Sequence, residues 1–171
     1  MKQGLMHVYC GDGKGKTTAA MGLALRAAGG GLRVHVVQFL KSGTSGELAV
    51  LRTLPNVKVF SGKGSTKFSF QMSAEEKAAA TVQHNKNLRA ALSEPCDVLI
   101  LDEAASAYRL GLVDTALIEE IVHHRAAQTE LVITGRQPAQ FMLDAADYVT
   151  EMVCRKHPYE QGIAARKGIE F

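Results

Sequence analysis

The sequence contains no tryptophan, and aromatic residues make up only 6% of its 171 positions. Its three cysteines, Cys10, Cys96 and Cys154, lie far apart and leave one over under any pairing. This excludes a disulfide framework and favours reduced thiols in a cytoplasm. No run approaches the roughly 18 apolar residues of a membrane helix, and the N-terminus lacks the pattern of a secretion signal. We therefore expect a cytoplasmic protein without a membrane partner.

A strong excess of charge is also missing. The net charge is +3, and the basic residues are scattered along the chain rather than clustered. Because nucleic-acid-binding domains concentrate basic residues in a patch or stripe, we expect no nucleic-acid partner and a small anionic ligand instead. Hydrophobic residues make up 46% and charged residues 22% of the chain, as in ordinary globular domains. The length suits a single domain spanning 1–171.

The strongest motif is G-D-G-K-G-K-T-T at residues 11–18. Glycines let backbone N–H groups turn inward as an anion nest, and a following helix adds its positive N-terminal end. Lys16 supplies a mobile positive charge, and the hydroxyl of Thr17 or Thr18 can bind the Mg²⁺ that accompanies a triphosphate. The predicted ATP contacts are Gly11, Asp12, Gly13, Lys14, Gly15, Lys16, Thr17 and Thr18.

The loop departs from the common pattern G-x-x-x-x-G-K-[ST], because Cys10 takes the place of the first glycine. A glycine-rich turn that only joins a strand to a helix is the alternative. The G-K-T-T ending, placed between a predicted strand and a predicted helix, favours phosphate binding.

The predicted elements alternate between strands and helices. Apolar runs predict strands at 5–10 and 33–40 around a helix at 17–28, which is the βαβ unit of a parallel sheet. Further strands are predicted at 57–60, 97–101, 130–134 and 148–153, and further helices between 46 and 54 and at 73–92, 114–126 and 138–146. Segments 61–72 and 157–171 are predicted to be irregular. Together with the phosphate loop, this order predicts a three-layer α/β, RecA-like domain with a mostly parallel sheet.

A second motif, V-L-I-L-D-E, delivers Asp102 and Glu103 at the end of a predicted strand. Ligands of parallel sheets bind at this edge, and carboxylates there can hold Mg²⁺ directly or through water. An acidic helix cap is the alternative interpretation. With the phosphate loop upstream, we predict a metal site formed by Thr17, Asp102 and Glu103.

Two weaker motifs remain open. Arg136 follows another predicted strand, where its guanidinium can either bind a phosphate or pair with a surface carboxylate. Phe68 and Phe70 alternate across Ser69, so in an extended stretch both rings would face one side. They can form either a ligand wall or a core anchor for the loop.

Several segments together resemble one family, the ATP:corrinoid adenosyltransferases of the phosphate-loop type. They are G-D-G-K-G-K-T-T-A-A, L-A-L-R-A-A-G, V-V-Q-F-L-K, I-L-D-E, I-T-G-R and K-H-P-Y-E-Q-G-I-A-A-R-K-G-I-E-F. The resemblance runs from about Met6 to Phe171. The closing segment is more specific than the phosphate loop, which many families share.

The resemblance implies transfer of the 5′-deoxyadenosyl group of ATP to the cobalt of a reduced corrinoid, cob(I)alamin or a precursor, with release of triphosphate. It also implies that the loop holds the terminal phosphate end of the nucleotide, the reverse of the usual orientation. Mg²⁺, a homodimer and an electron donor such as flavodoxin or a flavin reductase complete the expectation.

By the same resemblance, Lys16 and Glu103 are expected to act in catalysis, with Arg136 near the nucleotide. Similar enzymes carry a Phe-x-Trp pair that displaces the lower axial ligand of cob(II)alamin and so eases its reduction. Phe68 and Phe70 match this pair, although this chain has no tryptophan. The alternatives are a small-molecule kinase or ATPase, suggested by the loop and the carboxylates alone, and a nucleotide-gated corrinoid-binding protein without chemistry.

Overall fold

The computed structural model describes residues 3–41, 43, 45–62 and 69–170. The strands are β1 Met6–Cys10, β2 Val34–Gln38, β3 Val57–Ser61, β4 Val98–Asp102, β5 Glu130–Thr134 and β6 Tyr148–Glu151. The helices are α1 Lys16–Gly29, α2 Gly46–Leu51, α3 Ala74–Leu92, α4 Ala104–Arg109, α5 Thr115–His124 and α6 Gln140–Asp144. Short 3-10 helices occupy Ser69–Gln71 and Pro158–Gln161.

The six strands form one sheet in the order β3-β2-β4-β5-β1-β6, and every pair is parallel. The predicted α/β, RecA-like architecture is therefore confirmed. Helix α4 is absent from the sequence-based prediction, because it follows β4 after a single residue and its A-A-S-A-Y-R sequence has few large apolar side chains. The two 3-10 helices lie in segments predicted to be irregular.

Helices cover both faces of the sheet and make three layers. In β4, Leu99 and Leu101 belong to one buried cluster, whereas Val98 and Ile100 belong to the other. This alternation follows from the two-residue period of a strand. The first cluster also contains residues of α3, α4 and α5, and the second contains residues of α1 and α2. The strands are apolar on both faces because both faces are buried.

The sheet brings several connecting segments to one edge. Strand β5 lies between β1 and β4, with Tyr9 aligned to Thr134, and Gln38 of β2 is aligned to Asp102 of β4. Because all strands run in the same direction, the segments after β1, β2, β4 and β5 leave the sheet at the same carboxyl edge. Side chains far apart in the sequence therefore meet there.

The thiols agree with the expectation of unpaired cysteines. Cys10, Cys96 and Cys154 are all free. Burial raises the pKa of Cys10, and it raises the pKa of Cys96 to about 11. Within the described ranges, no helix combines the length and apolar composition needed to cross a membrane.

Two glycines test the packing beside the sheet edge in opposite directions. A Cβ atom on Gly135 would lie 2.6 Å from Cβ of Ala105, so Gly135→Ala should lower the free energy of unfolding by about 2 kcal/mol. Gly22 lies inside α1 with open space beside it, so Gly22→Ala should raise the free energy of unfolding by roughly 1 kcal/mol. Urea denaturation of both variants measures these changes. An unchanged free energy of unfolding in Gly135→Ala would contradict the close approach of α4 to the end of β5.

Candidate functional site

The loop between β1 and α1 is held against the neighbouring strands. The Gly11 amide donates to the carbonyl oxygen of Arg136 at 3.2 Å, and the Gly13 amide donates to that of Met152 at 2.7 Å. A Cβ atom on Gly11 or Gly13 would lie 2.4 or 2.7 Å from the Met152 oxygen. These two glycines therefore serve close packing. This differs from the expectation that their amides turn inward toward an anion.

The donors suited to an anion lie at the N-terminus of α1. Gly15 has φ 117°, a left-handed conformation that favours glycine. The amide of Ala19 donates to the carbonyl of Gly15 at 2.8 Å. The amides that precede Ala19 belong to the first turn, whose N–H groups have no carbonyl partner inside the helix. Together with the helix dipole, they can bind a phosphate.

Lys16 is the first residue of α1, directly after this loop. Its side chain is buried, and its Nζ donates to the carbonyl oxygen of Gly13 at 2.6 Å. Burial lowers the pKa of Lys16, and the negative charge of Glu103 opposes that shift. An anion bound at the start of α1 would give the ammonium a partner of opposite charge.

Asp102 is completely buried and accepts four hydrogen bonds. Its Oδ1 accepts from the hydroxyls of Thr17 and Thr134, both at 2.8 Å. Its Oδ2 accepts from Nε2 of Gln38 at 3.0 Å and from Nζ of Lys41 at 2.9 Å. A buried carboxylate requires such partners because water cannot solvate its charge. The phosphate loop and the end of β4, predicted to share a metal site, are thus joined directly.

Lys41 and Gln38 are not among the site residues predicted from the sequence. Gln38 ends a strand whose five residues are all buried, and a buried glutamine in such a strand is the signal that could have identified it. Its Oε1 has no hydrogen-bond partner among the residues that the structure covers. Lys41 carries no comparable signal, because a lysine after a strand is usually solvated.

Glu103 occupies a strained position directly after β4. Its backbone has φ 63°, and it is the N-cap of α4. Its amide donates to Oγ1 of Thr134 at 2.9 Å, and its Oε2 accepts from Oγ of Ser106 at 2.9 Å. Left-handed conformations in residues other than glycine are unfavourable and cluster at functional sites. The two neighbouring carboxylates have different surroundings, since Asp102 is wholly buried and Glu103 is only partly buried.

These oxygen ligands fit a magnesium ion that arrives with a nucleotide. The described part of the chain holds no cluster of three or more His, Cys, Asp or Glu side chains that could enclose a metal. Mg²⁺ keeps several waters and takes substrate phosphates, so the Thr17 hydroxyl and the carboxylates of Asp102 and Glu103 suit it. The ammonium of Lys41 already contacts Thr17 and Asp102, at 2.7 and 2.9 Å. The site therefore accommodates positive charge.

The remaining predicted nucleotide contacts are exposed; they are Asp12, Lys14, Thr18 and Arg136. Oδ1 of Asp12 accepts from the amide of Cys154 at 3.0 Å. Nζ of Lys14 donates to the carbonyl oxygen of Ile169 at 2.9 Å and to Oε1 of Glu170 at 3.3 Å. Asp12 and Lys14 therefore tie the loop to the C-terminal segment.

The C-terminal segment borders a cavity beside the loop. The cavity has a volume of about 670 Å³ and is lined by Gly13 and Lys14 together with residues between 153 and 170. This volume is typical of small-molecule sites. Four of these residues are basic, Lys14, Arg155, Lys156 and Arg166, and Glu170 is acidic, so the charge of the lining favours an anionic ligand.

Phe70 lies on the surface rather than in the core. The residue is 79% exposed, and it lines a groove of about 250 Å³ with Lys77, Leu110 and Leu112. Ser69–Gln71 forms a 3-10 helix, so Phe70 does not lie in an extended stretch. Phe68 lies outside the described residues.

Comparisons with known proteins find similarity to ATP:corrinoid adenosyltransferases. A family model for the ATP:corrinoid adenosyltransferase BtuR/CobO/CobP matches residues 2–171. The corrinoid adenosyltransferase of Pseudomonas aeruginosa is 35% identical, over 99% of this chain and 85% of that protein. The corrinoid adenosyltransferase CobA of Salmonella typhimurium is 34% identical, over 99% of this chain and 87% of that protein.

A solved structure, the cytoplasmic domain of EssC, is similar in fold alone. It matches with a TM-score of 0.58 at 16% identity and covers 96% of this chain. The chain spans about a third of that protein, since 34% of the EssC chain is covered.

The strain at Glu103 predicts an inverted order of two substitutions. Because glycine adopts φ 63° without penalty, Glu103→Gly should be more stable than Glu103→Ala by about 1–2 kcal/mol. Glu120, exposed in α5, provides the control, since Gly should be less stable than Ala there by roughly 1 kcal/mol. Urea denaturation of the four variants measures both differences. The same order at both positions would contradict the strained turn.

Proposed function

The chain belongs to the ATP:corrinoid adenosyltransferase family, and we propose that it transfers the 5′-deoxyadenosyl group of ATP to the cobalt of cob(I)alamin or a precursor, releasing triphosphate. The observation that carries the proposal is the family match over residues 2–171. The direct hydrogen bond between Thr17 and Asp102 supports it, because it joins the phosphate loop to a carboxylate at the sheet edge.

The proposed reaction is a displacement at carbon. The cobalt(I) centre donates an electron pair to the ribose 5′ carbon, forming a cobalt–carbon bond and becoming cobalt(III). The bond between that carbon and the α-phosphate oxygen breaks, and its electron pair leaves with triphosphate. Since cob(I)alamin is itself a strong nucleophile, the protein needs to align the two reactants and stabilise the leaving group.

The groups at the start of α1 suit the leaving group. Lys16 and the first-turn amides present positive charge and N–H donors, which favour a polyphosphate whose negative charge increases as it departs. The side chains that would hold Mg²⁺ are Thr17, Asp102 and Glu103. When bound, the ion would neutralise phosphate charge. In this proposal the loop takes the terminal phosphates, which leaves the ribose free to meet the corrinoid.

Phe70 suits the proposed corrinoid side of the reaction. Phe70 and the partly exposed Leu110 offer an apolar surface, in a groove that the buried Leu112 also lines, against which a macrocycle can pack without water. Exclusion of the lower axial ligand there would ease reduction of cobalt(II) by an external donor, a flavodoxin or a flavin reductase. A homodimer and a cytoplasmic location remain part of the proposal.

The direct test is anaerobic incubation with cob(I)alamin and Mg-ATP. Adenosylcobalamin and triphosphate should form in equal amounts, followed by absorbance and by chromatography of the phosphates. Lys16→Ala should lower the rate at least 100-fold with any cobalt state supplied, because the positive charge that stabilises the departing triphosphate is lost. Lys58→Met, which alters a surface ion pair with Glu94, is the control and should keep the wild-type rate.

Other products would identify other functions. ADP or free phosphate with unmodified corrinoid would indicate a kinase or ATPase and would end the proposal. Tight binding of both ligands without turnover would instead indicate a nucleotide-gated binding protein.

The role of Phe70 predicts a difference between two assays. Phe70→Ala should lower the rate roughly tenfold when cob(II)alamin must first be reduced, and less than about twofold when cob(I)alamin is supplied. Val82→Ala removes a similarly exposed apolar side chain from α3 and should leave both rates unchanged. Equal losses for Phe70→Ala in the two assays would remove the proposed role in reduction.

A further inference from the structure

Lys41 brings a positive charge to the centre of the candidate metal site. Its Nζ lies 2.7 Å from Oγ1 of Thr17 and 2.9 Å from Oδ2 of Asp102. These oxygens belong to two of the three side chains that fit a magnesium ion. The Asp102 side chain is wholly buried, whereas that of Lys41 is 34% exposed. The lysine therefore supplies the charge that a buried carboxylate requires, from a side chain that still reaches solvent.

We propose that Lys41 is a resident cation, which holds Thr17 and Asp102 in place in the ligand-free protein and leaves when magnesium arrives with ATP. The inference rests on the proposed function, because the metal considered is that of the Mg-ATP consumed. Lys41 is a positioning residue in this scheme. The Lys41 ammonium and a divalent ion cannot both bind the Thr17 and Asp102 oxygens, since two positive charges within a few ångströms of each other repel strongly.

The chain is built to hold Lys41 in this position. Leu40, directly before it, has φ 56°, an unfavourable conformation for a leucine. The Leu40 amide donates to Nε2 of His84 at 3.2 Å, and Nδ1 of His84 lies 2.7 Å from the carbonyl oxygen of Leu112. Because the Leu40 amide donates to Nε2, that nitrogen accepts and Nδ1 carries the proton that it donates to Leu112. Burial lowers the pKa of His84, which favours this neutral form of the ring. The histidine thus fixes the strained turn that directs Lys41 back to Asp102.

A resident cation has a consequence for metal loading. Free magnesium must displace Lys41 without compensation, whereas magnesium bound to ATP brings phosphate oxygens that can receive the displaced ammonium. The lysine therefore disfavours metal binding in the absence of nucleotide. Removal of its charge should expose Asp102 to a free divalent ion.

Binding of Mn²⁺ without nucleotide tests this exchange. Mn²⁺ prefers the same oxygen ligands as Mg²⁺, and electron paramagnetic resonance measures its free concentration directly. Lys41→Met should bind Mn²⁺ about tenfold more tightly than the wild-type protein does, because its cationic competitor is gone. Lys58→Met removes a lysine charge from the surface and should leave the Mn²⁺ affinity unchanged. An unchanged or weaker affinity in Lys41→Met would overturn the inference.

A second variant covers the case in which Lys41→Met does not fold. Lys41→Arg keeps the charge next to Asp102 and pairs with carboxylates more rigidly than lysine does. It should fold like the wild-type protein and bind Mn-ATP at least about fivefold more weakly. Wild-type affinity for Mn-ATP in Lys41→Arg would count against displacement.

The Mn²⁺ measurement involves neither corrinoid nor adenosyl transfer. If Lys41→Met shows no gain in Mn²⁺ affinity while the wild-type protein forms adenosylcobalamin, the exchange fails and the proposed function stands. A gain in Mn²⁺ affinity in Lys41→Met, with no adenosyl transfer by the wild-type protein, would support the exchange and refute the proposed reaction.

Discussion

The carboxylate of Asp102 is the constraint on which the rest of the site depends. It is wholly buried at the end of β4, and an ionised carboxylate survives there only when donors surround it. Its four donors come from α1, β2, β5 and the segment after β2. One charge therefore fixes the distance between the phosphate loop and three other elements. The arrangement is available only because a parallel sheet brings these chain segments to a common edge.

The phosphate loop is built by packing as much as by ligand binding. Gly11 and Gly13 are required because the chain after β6 approaches them closely at Met152. Lys14 then joins the loop to Ile169 and Glu170, which belong to the closing G-I-E-F segment. These contacts give a physical reason why the G-I-E-F segment and the G-D-G-K-G-K-T-T loop occur together in this sequence. The C-terminal segment belongs to the loop's structure and also borders the cavity beside it.

The sequence predicts what local patterns control and misses what distant contacts control. The βαβ unit, the phosphate loop and the pair Asp102-Glu103 follow from apolar periodicity and spacing, and the structure brings Thr17 to Asp102 as expected. Lys41 escapes prediction because its partner lies 61 residues away and the turn that directs it depends on His84. The surroundings of Phe70 also escape prediction, because a segment predicted to be irregular forms a 3-10 helix at Ser69–Gln71, and the local backbone decides where the side chain lies.

Strain at the sheet edge connects these observations. Leu40 and Glu103 are the two described residues other than glycine with positive φ, and each follows one of two adjacent strands, β2 and β4. Each such residue costs about 1–2 kcal/mol, which the folded structure must offset elsewhere. Both strained turns position charged side chains. Leu40 precedes Lys41, the lysine that pairs with Asp102, and Glu103 itself carries the second carboxylate. A turn without positive φ at Leu40 or Glu103 would stabilise the fold. It would also move Lys41 or the Glu103 carboxylate away from the hydrogen bond between Thr17 and Asp102. The strain therefore marks the part of the molecule where stability has been exchanged for the geometry of the site.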